Sequence, residues 1–272
     1  MKKNRLSITL IIPYYQKMYS SFYTLEIIKE VSKAGIRQDV DLLIDTTWRA
    51  NNISGILFAD LMGNESLIKK AKAKKIPYLI LNYYSKEAKD NCIGIDNQKA
   101  GFEAVNYLIE AGHRCIATIT GKIDAQAGLQ RLEGFKEALK KKHIALDKRY
   151  ILNGDWTRES GSLAMKKLLA FAHPPTAVFV AGDEMAIGAI EEAREAGLKV
   201  PENISFVGFD NIPQADLGGI PLTTVEQPLS ELAELGIKNL LQIIRKKPKQ
   251  PVKILLGSAK LIKKESVKVL TK

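Results

Sequence analysis

Cysteine, histidine and aromatic residues are all scarce in this sequence, and each scarcity removes a class of protein. Two cysteines, Cys92 and Cys115, lie far apart with no CxxC spacing and no histidine beside either. A disulfide scaffold and a zinc centre are therefore excluded, and reduced thiols of a cytoplasmic chain are expected. Only three histidines are present, His113, His143 and His173, and no HExxH helix holds any of them. The P-loop, the GxGxxG turn and the G-x-S-x-G elbow are absent too, so nothing pairs titratable groups for catalysis and no cofactor is implied. No apolar run approaches the roughly 18 residues of a membrane span. The basic start followed by Leu6–Ile12 mimics a leader, but Ser7 and Thr9 interrupt it and Pro13 stops it, so it reads as a strand.

Charge of one sign is in excess. Lys and Arg number 41 against 30 Asp and Glu, a formal +11, which raises nucleic acid as a partner. From Arg245 to Lys272 stand ten cations against Glu265 alone, so +9 lies there and residues 1–244 carry only +2. The basicity belongs to the end of the chain and carries no evidence of sequence-specific recognition. A smaller cluster, Lys69, Lys70, Lys72, Lys74 and Lys75, reads as the solvated face and end of a helix.

The 272 residues suit two domains, and short β-rich apolar runs alternate with segments of helical period. Strands are expected at Leu6–Ile12, Leu42–Asp45, Gly55–Ala59, Tyr78–Asn82, Cys115–Thr120, Tyr150–Leu152, Ala177–Ala181, Ile204–Phe209, Val252–Leu256 and Leu261–Ile262. Helices are expected at Phe22–Ala34 (closed by Gly35), Glu65–Lys74, Asn97–Ala111 (capped by Asn97), Gly128–Lys142, Ser160–Phe171, Asp183–Glu195 (capped by Asp183) and from Pro228 to Ile244. This is α/β: two doubly wound parallel-sheet lobes in series. Between the second and third strands only Thr46–Ser54 remain, fewer than the dozen residues a parallel crossover needs, so a shortened or missing helix should deform the first lobe.

In open parallel sheets the loops after the strands' carboxyl ends line the ligand crevice. Those ends carry Asn82, Asp183, Asp210 and Asn211, which with Arg131 can bond hydroxyls, while Tyr14, Tyr15 and Trp156 can stack on a sugar or a base.

Seven stretches occur in order that resemble the effector-binding core of the LacI family of bacterial transcription regulators. They are Ile95-Asp96-Asn97, Leu108–Ala117, Arg131-Leu132-Glu133-Gly134-Phe135, Asn153-Gly154-Asp155-Trp156, Pro175–Phe179, Val200–Asn211 and Pro221–Pro228. The resemblance covers residues 6–270 and implies a type I periplasmic-binding-protein architecture whose chain crosses three times between lobes. Residues 1–95 plus 227–255 would form the N-terminal lobe, and 96–226 plus 256–272 the C-terminal lobe. By position, Arg131 matches the effector-gripping arginine, Asp210 the hydroxyl-binding aspartate and Trp156 the ring-stacking aromatic, with Tyr14, Tyr15, Asn82, Asp183 and Leu229 completing the ligand site. A small effector, a sugar ahead of a nucleobase, and a homodimer are implied. Operator DNA would be read only through a helix-turn-helix domain that this sequence does not contain. Gly182 stands where an amide side chain is common in the family, which removes one sugar contact. Two alternatives stay open: an exported solute-binding protein of a transport system, and a degenerate dimerisation partner that binds no effector.

Overall fold

A computed structural model describes residues 5–13, 22–49, 51–216 and 220–270. Tyr14 and Tyr15 lie outside the described residues. The chain runs β1 (Ser7–Ile11), α1 (Phe22–Arg37), β2 (Asp41–Asp45), β3 (Gly55–Phe58), α2 (Glu65–Ala73), β4 (Tyr78–Leu81), β5 (Cys92–Ile95), α3 (Asn97–Glu110), β6 (Ile116–Thr120), α4 (Gln126–Lys141), β7 (Ile151–Asn153) and α5 (Arg158–Leu169). It continues through β8 (Ala177–Val180), α6 (Asp183–Glu195), β9 (Ser205–Asp210), β10 (Thr224–Glu226), α7 (Leu229–Lys246), β11 (Lys253–Leu256) and β12 (Lys260–Ile262). Two compact units result, Met1–Ile95 with Pro228–Leu256, and Asp96–Gln227 with Gly257–Lys272, so the chain passes between them three times.

The first unit is built on a six-stranded sheet of order β11-β5-β4-β3-β1-β2, in which every pairing is parallel. Strands buried on both faces of such a sheet must be apolar throughout, and β3 (GILF) and β4 (YLIL) are fully buried. One face is covered by α1 and α7, which pack on each other. In α7 the buried residues Leu232, Ala233, Gly236, Ile237, Leu240 and Leu241 follow helical spacing. The other face packs Ile11, Ile56, Phe58 and Ile80 with Ile68 and Ala71 of α2 and with Trp48.

The second unit repeats the order as β12-β10-β9-β8-β6-β7, with β12 antiparallel to β10. Helices α3 and α4 pack together, as do α5 and α6. Phe135, Phe179, Val207 and Phe209 are fully buried at its centre, each worth about 1.5–3 kcal/mol of transfer free energy.

Several local expectations need correction. Helix α1 runs on through Gly35 to Arg37, because the chain turns only at Asp39, in the left-handed region at φ 52°. The cap of α3 is Asp96, whose side chain accepts the Lys99 N–H, and Asn97 is the first helical residue. Helix α6 is preceded by Gly182, which has no side chain to cap with. Strands β5 and β10 are additional to those expected from the sequence. The short segment after β2 does lack a helix among its described residues, yet the sheet keeps six strands in order. The disturbance is local: Leu43 of β2, on the face away from α1, is left 43% exposed.

Candidate functional site

In the second unit the polar side chains gather where β9, β10, α4 and α6 end or begin. Arg131 sits on α4 and is 3% exposed. Its Nε donates to Asn97 Oδ1 at 2.9 Å and its Nη1 to the Ala181 carbonyl at 2.6 Å. The guanidinium lies 3.5 Å from the centre of the Phe209 ring and 5.5 Å from that of Trp156, stacked where a planar cation is favoured. From this position Nη1 reaches to 4.0 Å of Asp210 Oδ1.

Asp210 ends β9 with φ 122°, outside the usual L-residue regions. The same oxygen accepts from Gln227 Nε2 at 2.5 Å. One side of the carboxylate is thus held by an amide and a guanidinium, while 17% of the side chain faces outward. Burial pushes its pKa up, and Arg131, Gln227 and the Asp183 N–H partly pull it back.

Asp183 is placed differently. It is fully buried, accepting Thr224 Oγ1 at 2.7 Å and the Ile212 N–H at 3.0 Å. Burial and then the Asp210 charge drive its pKa upward. It ties α6 to β10 and to the turn after β9, and reaches Asp210 through its own backbone N–H.

Trp156 is half-buried between β7 and α5, at φ 75°. Asp155 Oδ1 accepts the Thr157 N–H at 3.1 Å and Thr157 Oγ1 accepts the Ser160 N–H at 3.2 Å, so a turn and a helix cap fix the residue on either side. The indole lies on Gly121, where an added Cβ would fall 1.9 Å from its Cη2, so only glycine admits the ring there. Arg131, Trp156 and Asp210 are thereby brought together, with Gln227 and Asn97 as members that sequence reasoning missed. Gln227 lies within the stretch Pro221–Pro228, but it follows β10, a strand that the pattern does not reveal, so no local signal marked it.

The first unit carries a smaller polar group. Asn82 follows β4 in the left-handed region at φ 52° and donates through Nδ2 to Asp60 Oδ2 at 2.8 Å. Its Oδ1 is buried with no hydrogen-bond partner among the described residues. Asp60, also missed, follows the strand end Phe58-Ala59; burial raises its pKa to about 6. Leu229, the first residue of α7, is buried at 4% exposure. Neither cysteine forms a disulfide, and no cluster fit to hold a metal exists among the described residues. His113 is spent structurally, its ring lying 3.0 Å from Thr176 Oγ1 and 3.1 Å from the Lys268 carbonyl. Among the described residues no helix is long and apolar enough to cross a membrane.

Among its described residues the second unit therefore offers a carboxylate acceptor, a braced guanidinium and an aromatic face, groups suited to bonding and stacking with a small polar molecule. Residues 105–267 match the family of periplasmic binding protein-like domains. The fold is thus that of a periplasmic-binding-protein-like ligand-binding core, and the chain belongs to the LacI-type transcription regulators. It is 34% identical over 260 residues, 90% of this chain and 76% of the other, to the HTH-type transcriptional repressor PurR of Escherichia fergusonii. To the HTH-type transcriptional repressor CytR of Escherichia coli (strain K12) it is 43% identical over 165 residues, 61% of this chain. The chain spans about half (48%) of that repressor's length. The solved complex of the transcriptional regulator CelR with cellobiose superposes with TM-score 0.89 at 29% identity, covering 97% of this chain and 85% of that one.

Proposed function

We propose that this chain is the effector-sensing and dimerising core of a cytoplasmic LacI-type repressor, non-catalytic, in which a small polyhydroxylated metabolite is held by Arg131, Trp156 and Asp210. The observation that carries the reading is the half-anchored Asp210 carboxylate. Gln227 and Arg131 fix one oxygen, so the outward side is oriented to accept a pair of ligand hydroxyls while the indole covers an apolar ring face. The CelR relative was solved with cellobiose, which supports a sugar. In the first unit Asn82 is read as a further ligand residue, because its buried Oδ1 finds no donor among the described residues. Asp183 serves as the brace behind Asp210. Operator DNA would be read by a helix-turn-helix segment of the kind the relatives' names describe, in a homodimer.

Isothermal titration calorimetry against a panel of mono- and disaccharides, with purine bases and nucleosides alongside, tests this. A sugar is expected to bind, and Asp210→Ala and Trp156→Ala to weaken it at least about 30-fold, the cost of roughly 2 kcal/mol for a charge-assisted bond or a stacked ring. Arg131→Ala should abolish binding and also destabilise, since it strips a buried carboxylate of its counter-charge. If only purines bind, the sugar assignment fails. If nothing binds and the variants change stability alone, the sensor reading fails with it.

A further inference from the structure

The excess positive charge found in the sequence does not stay together in the fold. Lys260, Lys263, Lys264 and Lys268 go to the second unit, whereas Arg245, Lys246, Lys247, Lys249 and Lys253 belong to the first. Because all six strands of the first sheet are parallel, their amino ends share one edge, and a helix that follows a strand returns to that edge. Helix α2 follows β3 and delivers Lys69, Lys70, Lys72, Lys74 and Lys75 there. Helix α7 delivers Arg245 to Lys249 to the same edge: its Ile244 lies against Gly55, the first residue of β3, on which an added Cβ would fall 2.9 Å from Ile244 Cδ1. Two clusters about 170 residues apart in sequence thus flank one strand end from opposite faces of the sheet.

The acids of this edge are already engaged. Asp39 and Asp41 lie 2.8 and 3.7 Å from Arg5, and Asp90 2.7 Å from Lys72. Lys69, Lys70, Lys74, Lys238, Arg245 and Lys246 have no carboxylate partner among the described residues, and all are exposed. Each cluster borders a recess. One, of about 230 Å³, is lined by Gln38, Lys238, Gln242, Arg245 and Lys246. The other, of about 200 Å³, is lined by Asn51, Asn52, Lys70 and Lys74 beside Trp48. Neither has a carboxylate in its wall, and both mix cations with amide donors, the chemistry that holds phosphate oxygens.

We propose that the amino-terminal edge of the first sheet is a docking surface for the phosphate backbone of double-stranded DNA, independent of any effector. Six strands at about 4.8 Å make an edge roughly 24 Å long, the axial length of about seven base pairs, along which a duplex presents about fourteen charges. Single strands are disfavoured, because binding them draws on exposed aromatic platforms and Trp48 is 7% exposed. The surface carries no base-reading element, so it would add affinity and register without sequence preference.

Fluorescence anisotropy with the 272-residue chain and a labelled 25-base-pair duplex of arbitrary sequence, between 50 and 200 mM KCl, tests the proposal. Binding is expected with a log–log salt slope of about −3 to −4, for three or four phosphates engaged. Lys70→Glu/Lys74→Glu and Arg245→Glu/Lys246→Glu should each weaken binding at least about tenfold at 50 mM and flatten the slope by about 2. Lys260→Glu/Lys268→Glu, in the second unit, should change neither. Should a charge reversal lower the melting temperature seen by circular dichroism, Lys70→Gln/Lys74→Gln and Arg245→Gln/Lys246→Gln replace it, with about half the effect. No binding at 50 mM overturns the proposal, as does an equal loss in the second-unit variant. Tighter binding to phosphatidylserine vesicles or to polyglutamate than to the duplex at equal charge concentration overturns it as well.

Discussion

The two sheets have the same strand order, and they differ most at the connection from their second strand to their third. In the second unit residues 154–176 join β7 to β8 and include the 12-residue helix α5. In the first, Thr46–Ser54 join β2 to β3 with no helix among the described residues. Removing a covering helix leaves a face to be filled, and the short segment fills part of it. The Asp45 carboxylate accepts the N–H groups of Thr46, Thr47 and Arg49, which turns the chain back. Trp48, in the left-handed region, then joins the buried cluster that includes Ile56, Phe58 and Ile68. On that face the outermost strand stays partly uncovered, with Leu43 nearly half exposed. One inserted aromatic replaces a helix over the sheet's centre but not at its margin.

The largest effect should come from that aromatic. Trp48→Ala is expected to destabilise the first unit by about 3–5 kcal/mol, the range for emptying an aromatic core position. Circular dichroism in guanidinium should then show the first unit melting early while the Trp156 fluorescence transition stays in place. The sequence has only these two tryptophans, one per unit, so each reports its own half. Coincident loss of both transitions would show that the units do not unfold separately.

In the second unit the long connection depends on close helix packing instead. A Cβ on Gly161 of α5 would fall 2.0 Å from the Met185 carbonyl, and one on Gly188 of α6 would fall 2.0 Å from the Arg158 carbonyl. The two helices touch backbone to backbone through reciprocal glycines. Gly188→Ala is expected to cost about 1–3 kcal/mol by forcing them apart, read in the Trp156 transition, because that residue immediately precedes the α5 cap. An unchanged transition would mean the helix pair slides at little cost.

Much of this was legible in the sequence, for reasons that differ by element. Long amphipathic helices such as α7 and all-apolar strands such as β3 announce themselves, because burial on one stripe or on both faces constrains every residue. The resemblance led to Arg131, Asp210 and Trp156, which the structure brings together. Gln227 and Asp60 were not legible, since their roles come from hydrogen bonds to residues 17 and 22 positions away, which no local pattern encodes. Asp183 reads identically as a cap, a ligand contact or a buried brace until its neighbours Thr224 and Ile212 are in place. The charge excess was read correctly as a count but not as a location, because the topology divides it between units.

The units also share a device of opposite weight, a carboxylate raised by burial at the strand ends: Asp60 in the first, the Asp183 and Asp210 pair in the second. A raised acid keeps its proton in the folded state where the unfolded chain has lost it. Stability is then greatest below the ordinary value of 3.8, falls as pH rises through the raised one, and is level above. For Asp60 the fall spans about pH 4 to about 6. Glu30, held low first by Lys33, acts with the opposite sign and only below its ordinary value. Melting followed through Trp48 should therefore drop from pH 4.5 to 6.5 and then flatten, and Asp60→Asn should remove the slope. The Trp156 signal should decline over a wider range, since the coupled Asp183 and Asp210 contribute, offset in part by His113, which burial holds below its ordinary value so that it adds stability as pH rises toward 6.5. Equal slopes in both signals would contradict the assignment of one carboxylate to one unit and a pair to the other.

The smallest expected effect is the sharpest test of the missing cover. If Leu43 lies open because no helix reaches the margin of the first sheet, replacing it with a polar residue removes little from water-free packing. Leu43→Lys should shift the Trp48 transition by no more than about 0.5 kcal/mol, the range for an exposed site. The matched change in the covered unit, Leu168→Lys, places a charge where α5 packs against the sheet with no exposure at all. It should prevent folding of that unit, because an unpaired ammonium cannot be buried without several kcal/mol of penalty. A cost above about 1.5 kcal/mol at Leu43 would mean that another part of the molecule, or a second copy of it, covers β2 in solution. Dilution separates those two, since only cover by a second copy weakens as the protein concentration falls.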